Sequence, residues 1–218
     1  MNPFSVRSDS RTPGVRNTGG SFSDQILVLQ KETMPAVPTV YLGRRHAANI
    51  TACLAATLPA SADLSQQAAN KSLAFIFNLP DFKTLSADQE LHLTTLGFVR
   101  VMLVRFLSRF RPEVNAFLFP SGEFVYPGSL DLEASLVGHL TTFAREMACN
   151  GLTELELGLL SVMAACDPMD PPAMYTAALE ALTPSSSTAV MALLLQLEEL
   201  FNLLPPYSWT KLNLKTSK

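Results

Sequence analysis

The sequence predicts an all-α domain carrying one short β-hairpin, and three observations lead there. Beyond about residue 41, apolar residues recur at steps of three and four. Capping boxes and prolines punctuate those runs where helices begin and end. Aromatic and β-branched residues flank turn residues once, in Phe117-Leu-Phe119, Pro120-Ser-Gly122 and Phe124-Val-Tyr126. At 218 residues, 48% hydrophobic and 16% charged, the chain is too apolar to be disordered throughout and long enough for one domain with a large interior. No uninterrupted apolar run reaches the ~18 residues of a membrane span, so no membrane partner is expected.

Residues 1–40 read as a disordered tail and extended lead-in: Met1–Phe22 lacks apolar periodicity, and Pro35 and Pro38 interrupt Met34–Val40. The helical domain then spans 41–204, with a short C-terminal tail over 205–218. A first helix is expected over Arg44–Leu58 and a second from Ala62 or Asp63 to Leu79, stopped by Pro80. Ser86-Ala-Asp-Gln89 is a capping box that opens a helix running to Phe110. Leu96, Val99, Leu103, Phe106 and Phe110 form one stripe of that helix, and its other sides are also apolar, which predicts a central position. Arg105 and Arg109 share a side with Phe98 and Met102, whereas Arg100 falls off that side and should reach water. Leu132, Leu136, Leu140, Phe143 and Met147 predict a helix over Ser129–Cys149, ended by Asn150-Gly151. Thr153-Glu-Leu-Glu156 opens Thr153–Cys166, and two further helices are expected over Ala173–Leu182 and, past a Pro184-Ser-Ser-Ser187 linker, Thr188–Leu204.

The formal net charge is −3, divided unevenly: Met1–Arg111 holds 12 basic and 7 acidic residues, Pro112–Lys218 holds 4 and 12. Any nucleic-acid footprint would therefore sit in the first half, yet Arg7, Arg11 and Arg16 are too sparse for a binding arm, and no direct DNA binding is expected. Cys53, Cys149 and Cys166 are too few for a disulfide scaffold or a four-ligand zinc site, which fits a reducing, intracellular compartment. Nothing in the first twenty residues has the form of a secretory signal. His46, His92 and His139 stand apart, without neighbours that would make a metal or nucleophile motif. Asp63, Asp81, Asp88 and Glu90 read as solvated helix ends, and no phosphate-loop, dinucleotide, zinc-protease or nucleophile-elbow pattern occurs. No catalytic residue, metal ligand or cofactor is assigned, and the chain is not expected to be an enzyme.

Three segments carry a resemblance. Leu79-Pro-Asp-Phe-Lys-Thr-Leu-Ser-Ala-Asp-Gln89 is similar to the sequence joining the third and fourth helices of nuclear-receptor ligand-binding domains, roughly LPxFxxLxxxDQ. Met102-Leu-Val-Arg-Phe-Leu-Ser-Arg-Phe-Arg-Pro-Glu113 through Phe119-Pro-Ser-Gly122 resembles the fifth helix and hairpin of the retinoic-acid-like and thyroid-receptor-like subgroup. Leu152-Thr-Glu-Leu-Glu-Leu-Gly-Leu-Leu-Ser161, followed by Cys166-Asp-Pro168, resembles the eighth helix. The likeness covers Leu64 to Pro172 and extends more weakly to Leu204. Only two residues separate Leu85 from Asp88 where the pattern has three. Phe77 and Thr94 or Thr95 stand where the family places the two lysines of its coactivator clamp. Pro205–Lys218 contains no ΦΦxEΦΦ activation helix, and three cysteines cannot supply the family's zinc-bound DNA-binding domain.

The resemblance implies a three-layer helical sandwich, a nuclear location and a role in regulating transcription. It implies a lipophilic or carboxylate ligand and, as partners, nuclear-receptor or coregulator proteins. By position, Leu64, Ala68, Val99, Met102, Leu103, Phe106 and Phe119 would line the cavity, with Arg109 anchoring a ligand carboxylate. A buried guanidinium needs a counter-charge, so Arg109 pairs either with such a ligand or internally with Glu113 or Glu123. The phenyl rings of Phe75, Phe77, Phe98, Phe106, Phe117 and Phe119 would otherwise fill the cavity, leaving a ligand-independent helical interaction module, a repressor-like partner or a truncated isoform. Leu200, Leu203 and Leu204 of Leu200-Phe-Asn-Leu-Leu204 fit a partner-docking LxxLL motif and equally a core stripe continuing Leu193 and Leu197.

Overall fold

The structure, a computed structural model, describes residues 20–34, 70–119, 122, 124–130 and 133–203. In chain order they form α1 (Phe22–Thr33), α2 (70–77), a 3₁₀ turn at Phe82–Thr84, α3 (Ala87–His92), a π turn (Leu93–Gly97) and α4 (Phe98–Leu107). There follow β1 (Phe110–Arg111), β2 (Ala116–Leu118), β3 (Phe124–Val125), a 3₁₀ turn at Pro127–Ser129, α5 (Ala134–Asn150), α6 (Glu154–Ala165), α7 (Ala173–Ala181) and α8 (Pro184–Leu203). The molecule is mostly helical with one small antiparallel sheet. The expected helix Arg44–Leu58 and the start of the next lie outside the described residues. None of the described helices is long and apolar enough to cross a membrane.

The two expected capping boxes form. Ser86 Oγ accepts from Gln89 N at 3.2 Å and Thr153 Oγ1 from Glu156 N at 3.2 Å, each answered by the Gln89 or Glu156 side chain. Gly151, at φ 59°, ends α5 in the left-handed conformation that Asn150-Gly151 predicts.

Four expectations change. First, part of 1–40 is folded: α1 is capped by a Ser21/Asp24 box and buries Ile26 completely. Phe22, Ile26 and Leu29 give it an apolar side, and that side packs on α6, where a Cβ at Gly158 would stand 2.8 Å from Ile26 Cγ2. Glycine at 158 is what allows the close seat. Second, the helix expected to run unbroken from Ser86 to Phe110 contains the π turn and stops at Leu107. An extra residue in one turn rotates the preceding face by about 100°, and Leu96, expected in the buried stripe, is 47% exposed. Gly97 closes that turn against α6, where a side chain would overlap the Ala165 carbonyl oxygen.

Third, the hairpin gains a strand. Phe110 and Arg111 leave the helix and pair with Phe117 and Ala116, while Phe117 and Leu118 pair with Val125 and Phe124. Fourth, Pro184–Ser187 is the first turn of α8, not a linker: proline suits a first helical position, and Thr183 Oγ1 accepts from Ser186 N at 3.3 Å.

Two helices organise the core. Every residue from Gly158 to Ala165 in α6 is buried, and α1, α4, α7 and α8 all pack on it, so α6 is the most central helix. In α4, Val101, Leu103, Val104 and Leu107 are fully buried, whereas Val99, Met102 and Phe106 on the other side are half-buried. The burial all round that was expected of the Ser86–Phe110 helix is found on only one side of α4; it is α6, over Gly158–Ala165, that is buried on every side.

Candidate functional site

The half-buried side of α4 and the turn that follows it collect most of the described candidate residues. Val99, Met102, Phe106 and Arg109 are spaced along one side of the helix and its extension, and Phe119 comes in from the end of β2. Phe106 stacks on Phe117 with centroids 4.4 Å apart and lies 6.1 Å from Phe119. Phe110 meets the same Phe117 ring edge-on at 5.2 Å. Leu103 points into the core on the far side and lines nothing open. Leu64 and Ala68 lie outside the described residues.

Arg109 is buried, and its guanidinium carbon lies 5.7 Å from the Phe119 ring centroid. Among the described residues no carboxylate comes within ion-pair distance of it. Glu113 is exposed and unpaired with Arg109, and Glu123 lies outside the described residues. Its Nε is buried without a partner, and burial pushes the guanidinium below its ordinary pKa.

Arg105, one turn earlier, was expected on the same side but is spoken for. Nη2 donates to Thr33 Oγ1 at 2.7 Å and Gln30 Oε1 at 3.2 Å, and Nη1 donates to the carbonyls of Lys71 at 3.2 Å and Thr33 at 3.4 Å. Its guanidinium also lies 4.5 Å from the Phe75 ring centroid. The partners are neutral oxygens, two of them at the negative C-terminal end of α1, which suits a cation. Burial, and secondarily the charge of Arg109, push Arg105 down to about 9, so it stays protonated at neutral pH. Arg105 in α4 and Arg109 just beyond it are therefore both buried cations to which the described residues supply no carboxylate.

Arg100 corrects the expectation that it reaches water. It is 8% exposed, donates from Nη2 to Glu198 Oε2 of α8 at 2.8 Å, and sits 4.9 Å from the Phe201 ring. Beside it, His92 Nδ1 is 3.8 Å from Asp167 Oδ2, and its buried Nε2 has no partner. Burial lowers the His92 pKa, opposed by Asp167, reinforced by Arg100 and opposed again by Glu198. Distance and shift point in opposite directions here. Desolvation is the stronger effect, because an ion pair at 3.8 Å to a carboxylate that keeps contact with water is weak. Burial pushes the Cys166 thiol up to about 12 and raises the Tyr175 phenol as well. Four helix segments meet at this cluster, which sequence spacing could not have revealed.

The remaining candidates divide. Leu200 is 3% exposed and belongs to the core, Leu203 is 52% exposed, and Leu204 lies outside the described residues. Phe77 is 50% exposed and meets Phe82 edge-on at 5.4 Å. Thr94 and Thr95 turn their hydroxyls back onto the carbonyls of Glu90 and Leu91. His139 is exposed, its Nδ1 2.8 Å from the Ser135 carbonyl; His46 lies outside the described residues. Among the described residues no three His, Cys, Asp or Glu side chains are grouped to hold a metal ion.

Two open clefts lie elsewhere. One, of about 270 Å³, lies beside Phe110, Arg111, Met147 and Leu152; the other, of about 500 Å³, runs between α5 and α8. Neither is lined by Arg109. In class, then, this is a mostly helical protein with a small antiparallel sheet and one buried guanidinium, that of Arg109, beside the Phe119 ring at the sheet's edge. No protein-family model matches the chain, and no curated protein matches it.

Proposed function

We propose that this chain is a nuclear-receptor-like ligand-binding domain that regulates transcription in the nucleus by binding a small lipophilic carboxylate. The observation that carries the reading is the buried Arg109 guanidinium beside Phe106 and Phe119, with an unpartnered Nε and no described carboxylate near it. A buried cation without a counter-ion costs several kcal/mol, and a carboxylate with an apolar body satisfies both the charge and the rings around it. The three resembling segments support the family, and the helix-plus-small-sheet architecture is compatible with it.

A second reading, a ligand-independent interaction module, draws support from the Phe106–Phe117 stack with Phe110 edge-on to it, and from the fact that neither described cleft reaches Arg109. Native mass spectrometry of cell-expressed protein separates the two. On the first reading an acidic lipid co-purifies with the wild-type chain and is lost from Arg109→Gln. Medium- and long-chain fatty acids should raise the melting temperature of wild type but not of Arg109→Gln, while Arg100→Gln, which breaks a different buried pair, keeps the ligand response. Equal ligand retention in the two variants, or none in wild type, would leave the interaction module as the answer.

A further inference from the structure

The cleft between α5 and α8 has features that neither the core nor the Arg109 face explains. Its volume is about 500 Å³, and its floor is apolar, formed by the buried Phe143 of α5 and Leu200 of α8, with Leu203 half exposed at one side. Glu146 of α5 and Glu199 of α8 stand on its two walls. Gly138 is exposed inside a 17-residue helix, and a Cβ built there meets nothing within 4 Å. Packing within the described molecule therefore does not require glycine at 138, although glycine inside a helix is destabilising relative to alanine. A main chain lying close against α5 would require it.

The charges identify the occupant. From Glu133 to Leu203 the chain holds nine acidic residues and one basic residue, Arg145. Arg145 is not on the cleft wall: its Nη2 donates to Asn115 Oδ1 at 3.0 Å, between β1 and β2. Among the described residues the ion pairs are Lys31–Glu154, His92–Asp167 and Arg100–Glu198, so Glu146 and Glu199 carry no counter-charge there. The third ionisable wall residue, His139, is turned to its own helix, with Nδ1 2.8 Å from the Ser135 carbonyl. Two uncompensated carboxylates above an apolar floor match a chain that pairs lysine or arginine with a large apolar side chain, and they reject an anionic one. The cleft follows α5 from Ser135 to Glu146, about 17 Å of helix, which takes about five residues of extended chain.

We propose that the α5–α8 cleft docks a short, basic, extended segment of a partner protein. Its cations meet Glu146 and Glu199, an apolar side chain covers Phe143 and Leu200, and its backbone lies against Gly138. The proposal goes beyond the reading of the Arg109 face and stands whether or not that face binds a ligand.

Fluorescence polarisation on the 218-residue chain, with the labelled peptide acetyl-GKRLKRG-amide as probe, tests the proposal. Saturable binding is expected, weakened about twofold to fivefold in Glu146→Gln or Glu199→Gln and about tenfold when both are changed, because exposed ion pairs each contribute modestly. Salt on the order of 0.5 M should weaken it as well, since these carboxylates are open to screening. Gly138→Gln, which fills the open space and leaves the charge alone, should also weaken binding, whereas Glu180→Gln, exposed on α7 and off the cleft wall, should not. Circular dichroism and melting temperature should stay at wild-type values in these variants, because every change is at the surface. The peptide GKRGKRG, with the cations but no apolar side chain, should bind more weakly than the probe, and GEELEEG should not bind. Equal binding of GKRLKRG and GKRGKRG, binding that survives the double glutamate change, or no saturable binding to wild type would each overturn the proposal. A dimer in sedimentation that Gly138→Gln breaks, in a chain that binds no peptide, would overturn it too and assign the cleft to a second copy.

Discussion

Arg100, Arg105 and Arg109 lie within ten residues of one another, are all buried, and are held in three different ways. Each lies near an aromatic ring and has a buried Nε without a partner, but Arg100 also has a carboxylate and Arg105 four neutral oxygens, whereas no described carboxylate reaches Arg109. The differences follow from which helix each meets: Glu198 on α8, the C-terminal end of α1, and the sheet side of α4. The His92 cluster gives the residue scale its pH prediction. Because burial outweighs Asp167, His92 in the fold binds its proton below the ordinary 6.5. The unfolded chain therefore takes up the proton first as pH falls. Stability from this group is intact above about pH 6.5 and is lost as pH drops through the folded pKa. Thermal melts should show a lower Tm at about pH 5.5 than at about pH 7.5, with a smaller drop in His92→Gln. Superimposable profiles for the two proteins would refute the assignment. Asp167, Arg100 and Glu198 face the same imidazole, so the variant must be compared with wild type across the same buffers.

Among the helices, α1 shows how a short segment gains a fixed place. Its twelve residues would be marginal alone in water. Three features seat it: the Ser21 capping box, the Ile26 contact over Gly158, and the Arg105 hydrogen bonds at its C-terminal end. Gly158→Val should overpack the seat and cost about 1 to 3 kcal/mol, and Arg105→Ala should cost about 3 kcal/mol. If both act by releasing α1, the double variant costs less than the two singles together, by on the order of 1 kcal/mol. Urea melts of the four proteins test this, and strictly additive losses would mean that the two residues hold different parts of the molecule. Hydrogen exchange confined to Phe22–Thr33 in each single variant would locate the change directly.

For the whole molecule, the proposed reading makes a claim about output. A coactivator clamp needs a lysine at the peptide helix's C-terminal carbonyls and a glutamate at its N-terminal amides. Phe77 is exposed where the resemblance places one cation, Thr94 and Thr95 occupy the region of the other, and 204–218 has no glutamate. Loss of both caps should weaken docking of an LxxLL peptide by about 2 to 4 kcal/mol, roughly 30-fold to nearly 1,000-fold. Fluorescence polarisation with a labelled LxxLL peptide should show no low-micromolar binding, with or without an added fatty acid. Binding in that range, tightened by the lipid, would return the chain to the class of ligand-activated receptors.

What the amino-acid sequence determined by itself was the set of local structures whose causes lie within a few residues. The capping boxes at Ser86 and Thr153, the Gly151 stop, the aromatic strands and the run of helices after residue 70 depend on neighbours three or four positions away, so spacing alone exposes them. Even Pro184 as a helix start and the Ser21 box were written locally, in patterns read as linker and tail. The sequence also placed Arg105 and Arg109 on one side of a single apolar helix, which marked them for scrutiny. Tertiary structure alone decided what meets those residues. Arg100 is buried because α8 brings Glu198 to it from 98 positions away. Arg105 is satisfied because α1, 72 positions earlier, ends beside it. The π turn at Leu93–Gly97 and the pairing of Phe110 with Phe117 are likewise tertiary outcomes. They follow from the close contact at Gly97 and Ala165 and from the sheet, not from helix propensity, which would have continued one regular helix to Phe110.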